Sequence, residues 1–251
     1  QPSEFFKIAI IIYVADYLAK RYRIKSFRKD LFFPAFLVMI GFGLILLQPD
    51  FGSGLVMVCS IVIMVLAADS PLSYFVRVGI LGAGGLGGLI LSAPYRLARI
   101  TSFIDPWKDP LGAGFQIIQS LFAIAPGGIL GVGFDNSMQK HFYLPEPQTD
   151  FIFAIYAEEF GFIGSVLLIG LFIAVIYQGV KIAKNCTDPY LCYIAIGLTS
   201  LFAIQVMINL GVVVGLFPVT GITLPFISYG GSSLMVMMGS MGLLMSIAKE
   251  S

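Results

Sequence analysis

The chain has 251 residues, of which 58% are hydrophobic and 12% charged, and its formal net charge is +1. A soluble domain needs about 25% charged residues to hydrate its surface, so this composition, with a mean hydropathy of +0.93, excludes an ordinary globular protein and makes lipid the solvent for much of the chain. The small net charge excludes an electrostatically driven nucleic-acid binder, and Cys59, Cys186 and Cys192 have no metal or redox spacing and are read as unpaired.

Gln1 leads into an apolar stretch almost at once, with no charged leader or cleavage site, so no signal peptide is expected and the chain reads as part of a longer protein. Seven apolar stretches approach the length needed to cross a core of about 30 Å at about 1.5 Å per residue. They lie near 4–20, 31–47, 53–68, 75–92, 151–178, 191–213 and 229–248. Period-2 alternation is absent, so the predicted fold is an all-α integral membrane protein, a polytopic helical bundle in one domain over 1–251. The run Gly82 to Gly88 lies inside the fourth stretch with no strand before it, and is read as helix-packing glycine, not a phosphate loop.

Orientation follows from the basic residues. The linker 20–30 holds six of the fifteen Lys and Arg, whereas the loops 48–54 and 214–228 hold none. That bias predicts a cytoplasmic linker 20–30 and an outward-facing loop 93–150. At 58 residues this loop is long for a connection. Its aromatic content, including Trp107, Phe115, Phe122 and Phe134, predicts a folded segment and not disorder. An amphipathic helix is expected at 113–125, with Ile117, Leu121 and Ile124 on one face and Gln116, Gln119 and Ser120 elsewhere.

Ionisable groups at membrane depth are expensive and mark where chemistry should be sought. Glu4 and Lys7 share a helical face at the start of the first span. Their spacing fits a mutually neutralising pair and a pair lining a polar cavity equally well. Asp150, after Thr149, opens the fifth span; it reads as a helix N-cap or as a partly desolvated base at the outer face. Glu158 and Glu159 lie deeper and are expected to make a structural hydrogen bond between helices. Arg96 and Arg99 are either snorkelling residues or an anion clamp for a phosphate headgroup. Lys140, Glu146 and Gln148 crowd close to Asp150 in sequence, giving basic, acidic and amide groups at one membrane boundary.

Five blocks go further than composition. QPSEFFK (1–7), QPDFGSG (48–54), YRLARITSFIDPWKDPLGAGFQIIQS (95–120), FYLPEPQTDFIFAIYAEEFGFIG (142–164) and GLFPVTGITLPFISYGGSS (215–233) resemble the signature blocks of the SEDS family, the RodA, FtsW and SpoVE group, and most closely its FtsW/SpoVE branch. The resemblance implies a fold of ten spans, of which this chain would carry seven. It implies a peptidoglycan glycosyltransferase that polymerises lipid II at the outer face of the bacterial cytoplasmic membrane, in division, elongation or sporulation. Asp150, in the TDF motif, is then the expected catalytic residue, and Glu4 and Lys7 match the family's cavity pair. Arg96, Arg99 and Lys140 become candidates for the pyrophosphate, with Glu146 and Thr149 beside the substrate. A divalent cation (Mg or Mn) is a family-level expectation without a dedicated protein site. The expected partners are a class B penicillin-binding protein, other divisome, elongasome or sporulation proteins, and membrane lipid.

Two rival classes fit the same apolar frame. A lipid II flippase would need polar residues through the full depth of the membrane, but the cytoplasmic half of the spans is nearly bare of them. A non-catalytic scaffold for a penicillin-binding protein would need neither Asp150 nor the Glu4–Lys7 pair.

Overall fold

The structure, a computed structural model, describes residues 1–21, 30–48, 50–71, 101–112, 114–137 and 148–250 and the glycines at 79, 82, 84, 85, 87 and 88. Its elements in chain order are α1 (Pro2–Ala19), α2 (Phe32–Leu47), α3 (Phe51–Ala67), a 3-10 turn (Pro106–Lys108), α4 (Phe115–Gly127), α5 (Ile152–Asn185), α6 (Pro189–Val213) and α7 (Gly231–Glu250). No strand occurs among the described residues. Six of the expected spans therefore correspond to helices, and the stretch 75–92 lies largely outside the described residues. The three cysteines are free.

Among the described residues three helices, α5, α6 and α7, are long and apolar enough to cross a membrane, while α2 and α3 are shorter apolar helices. The chain divides into two compact units, the first made of 1–80, 174–205 and 230–251 and the second of 81–173 and 206–229.

In the first unit α1 buries Glu4, Lys7, Ile11, Val14, Ala15 and Leu18, a stripe spaced by three and four residues. It packs with α2, α3 and α7. The stripe of α7 is Ser233, Val236, Met237, Ser240, Leu244 and Ile247. Close approach in this unit uses single glycines: a Cβ on Gly41 would lie 2.2 Å from the Phe6 ring, and one on Gly197 would lie 2.5 Å from Ile11 and 2.6 Å from Met64. By contrast, a Cβ on any described glycine of the 82–88 run would meet nothing within 4 Å. The expectation that this run brings helices together is not met among the described residues. Asp50 caps α3, accepting from the Ser53 amide at 2.9 Å, and its other oxygen accepts from Gln1 Nε2 at 3.0 Å.

The second unit contains the folded part of the long loop. Trp107 in the 3-10 turn meets Phe122 of α4 edge-on at 6.0 Å between centroids. The buried face of α4 differs from the sequence expectation. It runs through Ile117, Ile118, Ser120, Ala123 and Gly127, whereas Leu121 and Phe122 are exposed. Ser120 is inward because its hydroxyl donates to the Val213 carbonyl at 2.7 Å, so a polar residue takes a core position once it has a partner.

The expected uninterrupted span at 151–178 also needs correction, since α5 is broken at Gly161 (φ 64°, ψ −161°), a conformation open only to glycine. An unbroken helix would join Glu158 to Phe162 and Glu159 to Ile163 through their backbones. Instead a strap formed by 128–133 takes all four groups: Val132 donates to Glu158 O at 3.0 Å, Gly133 to Glu159 O at 3.1 Å, Phe162 to Gly128 O at 2.9 Å and Ile163 to Ile129 O at 3.2 Å. Each of these two helical bonds is thereby replaced by two others, so the four backbone groups stay satisfied in an apolar segment.

Candidate active site

Asp150 ends the turn 148–150, two residues before α5 begins at Ile152. It is half-buried, as is Thr149. Neighbours within the second unit hold this turn. The Tyr229 amide donates to Gln148 O at 2.8 Å. Asn209 of α6 donates through Nδ2 to Asp150 O at 2.9 Å and to Ile222 O at 2.6 Å. Gly221 lies beside the carboxylate, where a Cβ would stand 3.4 Å from Asp150 Oδ2. The loop 214–230 thus forms one wall of the carboxylate's seat. It is itself pinned by Ser228, whose hydroxyl accepts from the Leu224 amide at 2.7 Å.

Glu4 and Lys7 belong to the first unit and are brought together there. Lys7 Nζ donates to Glu4 Oε1 at 2.7 Å, and the residues are 1% and 4% exposed. A lipid-facing pair is thereby excluded: both groups point into protein. Glu4 Oε2 and the Ser3 hydroxyl are buried without a hydrogen-bond partner. Unsatisfied polar oxygens beside a buried ion pair are the kind of group a polar ligand could satisfy.

Glu158 and Glu159, on the short half of α5 before the break, are 2% and 6% exposed. Ser137 donates its hydroxyl to Glu158 Oε2 at 2.5 Å. A serine of the loop that follows the strap is thus one partner of Glu158. Arg96, Arg99, Lys140 and Glu146 lie outside the described residues.

Sequence reasoning missed Asn209. The signal was present as one of two amides, with Gln205, in a predominantly apolar 25-residue helix, but uncharged polar groups carry no mark of membrane cost as strong as a charge does. No group of three or more His, Cys, Asp or Glu that could hold a metal ion occurs among the described residues.

Long apolar helices, one of them broken and re-bonded at Gly161, and ionisable groups turned inward define a polytopic helical membrane protein. The family model described as Cell cycle protein, for FtsW, RodA and SpoVE, matches residues 1–251, and the chain belongs to that family. Stage V sporulation protein E of Bacillus subtilis (strain 168) is 53% identical over 100% of this chain and 69% of its own length. A probable peptidoglycan glycosyltransferase FtsW of Coxiella burnetii is 44% identical over 100% of this chain and 68% of its own. Among solved structures, a chain of a peptidoglycan synthase complex, studied for the structural coordination of polymerization and crosslinking, matches with a TM-score of 0.81 at 33% identity, covering 100% of this chain and 70% of that one. The rod shape determining protein RodA of Thermus thermophilus matches with a TM-score of 0.68 at 28% identity, covering 100% and 66%. The chain spans about two thirds of the length of these relatives. The family resemblance read from the five blocks is borne out, as is the all-helical membrane fold.

Proposed function

We propose that this protein is a peptidoglycan glycosyltransferase polymerising lipid II into glycan strands at the outer face of the cytoplasmic membrane, the activity its FtsW relatives are named for. The observation that carries the reading is Asp150 at the head of α5, its main-chain carbonyl bound by Asn209 and its carboxylate beside the space left by Gly221. In the proposed step the acceptor sugar's 4-hydroxyl oxygen attacks the anomeric carbon of the donor. Its proton passes to the Asp150 carboxylate, and the carbon–oxygen bond to undecaprenyl pyrophosphate breaks with its electron pair on the leaving group. The donor linkage is α and the product β, so a single inverting displacement suffices.

Negative charge grows on the departing pyrophosphate, and Arg96, Arg99 and Lys140 are proposed to stabilise it. Glu4 and Lys7 are proposed to line a polar cavity for the substrate headgroup, with Thr149 and Glu146 near the reacting sugar. A divalent cation is proposed to act with the substrate's phosphates, and the residue roles above do not depend on it. A transpeptidase of the class B penicillin-binding type is the proposed partner, since a structural neighbour belongs to a complex that couples polymerization to crosslinking.

The test is direct: purified full-length protein, alone and with its transpeptidase, is incubated with lipid II and the products are separated on a gel. A ladder of glycan strands is expected. Transbilayer movement of lipid II in proteoliposomes without any strand formation would favour the flippase instead.

A further inference from the structure

Asn209 is 1% exposed inside a spanning helix, and the proposed chemistry gives it no task. Its environment is nonetheless specific. Two main-chain carbonyls, of Asp150 at 2.9 Å and of Ile222 at 2.6 Å, face its amide. Carbonyls need donors, so the nitrogen and not the oxygen must point at them, and both its hydrogens are used. The amide oxygen, Oδ1, is left buried without a partner. A buried unsatisfied amide oxygen is costly, and an aliphatic residue would be easier to bury in a spanning helix. Packing alone therefore does not account for asparagine here.

The two carbonyls locate its use. One belongs to Asp150 itself. The other belongs to the residue after Gly221, whose missing side chain leaves room for Asp150 Oδ2. A single side chain thus ties the residue carrying the carboxylate and the wall beside it to the same point of α6. Another tie on this turn, from the Tyr229 amide to Gln148 O, runs through backbone and is two residues away from the carboxylate.

We infer that Asn209 is a positioning residue, a clip that sets the Asp150 carboxylate against the 214–230 loop in the geometry needed to take the acceptor's proton. It does not touch the reacting atoms; it acts through Asp150, and so the inference rests on the reading of Asp150 as the base. Misplacement of a catalytic group by about 1 Å can cost roughly 10²-fold in rate.

The experiment is a double-mutant cycle on the full-length protein, with initial rates of lipid II polymerisation measured across substrate concentration. Asn209→Ala in the wild-type background is expected to lower kcat by about 10²-fold with little change in KM. In the Asp150→Glu background the longer base is no longer set by the clip, so the same substitution should cost several-fold less. An equal fold-loss in both backgrounds would make Asn209 a purely structural residue and overturn the inference. If Asn209→Ala does not accumulate, Asn209→Gln, which keeps the donor on a longer arm, is carried through the same cycle. Asp150→Asn is run alongside to separate the two failures. Wild-type polymerisation by Asp150→Asn removes the base and the clip together. An inactive Asp150→Asn beside a fully active Asn209→Ala removes the clip alone.

Discussion

Glu4 and Lys7 show how burial converts a spacing into a dependency. Three residues apart on a helix, they could have neutralised each other toward lipid, and sequence could not choose because both arrangements use the same face. Enclosed in protein, with a 2.7 Å contact, each is the compensation for the other's desolvation. Glu4→Ala or Lys7→Ala should each destabilise the protein by about 3–5 kcal/mol, because a single buried charge is left behind. Replacing both together, Glu4→Leu with Lys7→Met, should cost much less. Thermal unfolding in detergent measures this, and single variants with wild-type Tm would mean that the pair is hydrated. Asn209 teaches the complementary point. Its importance comes from two carbonyls 59 residues before it and 13 residues after it, a juxtaposition that no local pattern encodes.

At the scale of elements, helices were legible wherever apolar residues filled a whole span, and their bounds agree with α1, α2, α3, α6 and α7 to within about three residues. What escaped was the break in α5. Hydropathy measures composition, and Gly161 changes composition hardly at all while its φ of 64° redirects the chain. The strap was equally hidden. The residues PGGILGVG at 126–133 carry the Pro and Gly of a turn, but the pairing of this segment with 158–163 is long-range. The strap gives a sharp contrast between glycines. A Cβ on Gly131 would stand 2.0 Å from Glu159 O, and one on Gly161 would stand 2.3 Å from the Gly131 nitrogen, both immovable backbone. Gly131→Ala and Gly161→Ala should each cost at least about 1–3 kcal/mol from backbone strain alone. Gly170, in the same helix with nothing within 4 Å, is the control. Gly170→Ala should be neutral or stabilise by up to about 1 kcal/mol. Equal thermal shifts for all three would mean that the strap does not hold the break.

For the whole molecule, the two membrane-facing surfaces differ as composition suggests. Of the most apolar window of α5, 17% is buried in protein, against 67% for α6. Side chains such as Phe162, Leu167 and Leu171 would be an aggregation surface in water and are a solvated one in lipid. That α6 is much more enclosed by protein than α5 could not be read from sequence, since apolar residues dominate both helices and a high mean hydropathy does not distinguish a lipid-facing surface from a buried one. Orientation across the bilayer rests on the basic linker. In a background freed of Cys59, Cys186 and Cys192, a cysteine at Asn136 should react with an impermeant thiol reagent in intact protoplasts, and one at Ser26 should not. Labelling at Ser26 but not Asn136 would reverse the topology and place Asp150 on the wrong side for lipid-linked substrate outside the cell.

The central claim, that Asp150 takes the acceptor's proton, has one most direct measurement: the rate of glycan-strand formation from lipid II by full-length Asp150→Asn. Asparagine caps a helix about as well as aspartate, so expression, Tm and transpeptidase binding should be unchanged. It cannot accept a proton at neutral pH, and loss of a general base typically removes about 10²–10⁴-fold in rate. The account predicts a well-folded protein with polymerisation reduced to that degree. Strand formation at the wild-type rate would contradict it and leave Asp150 as the opening residue of a helix.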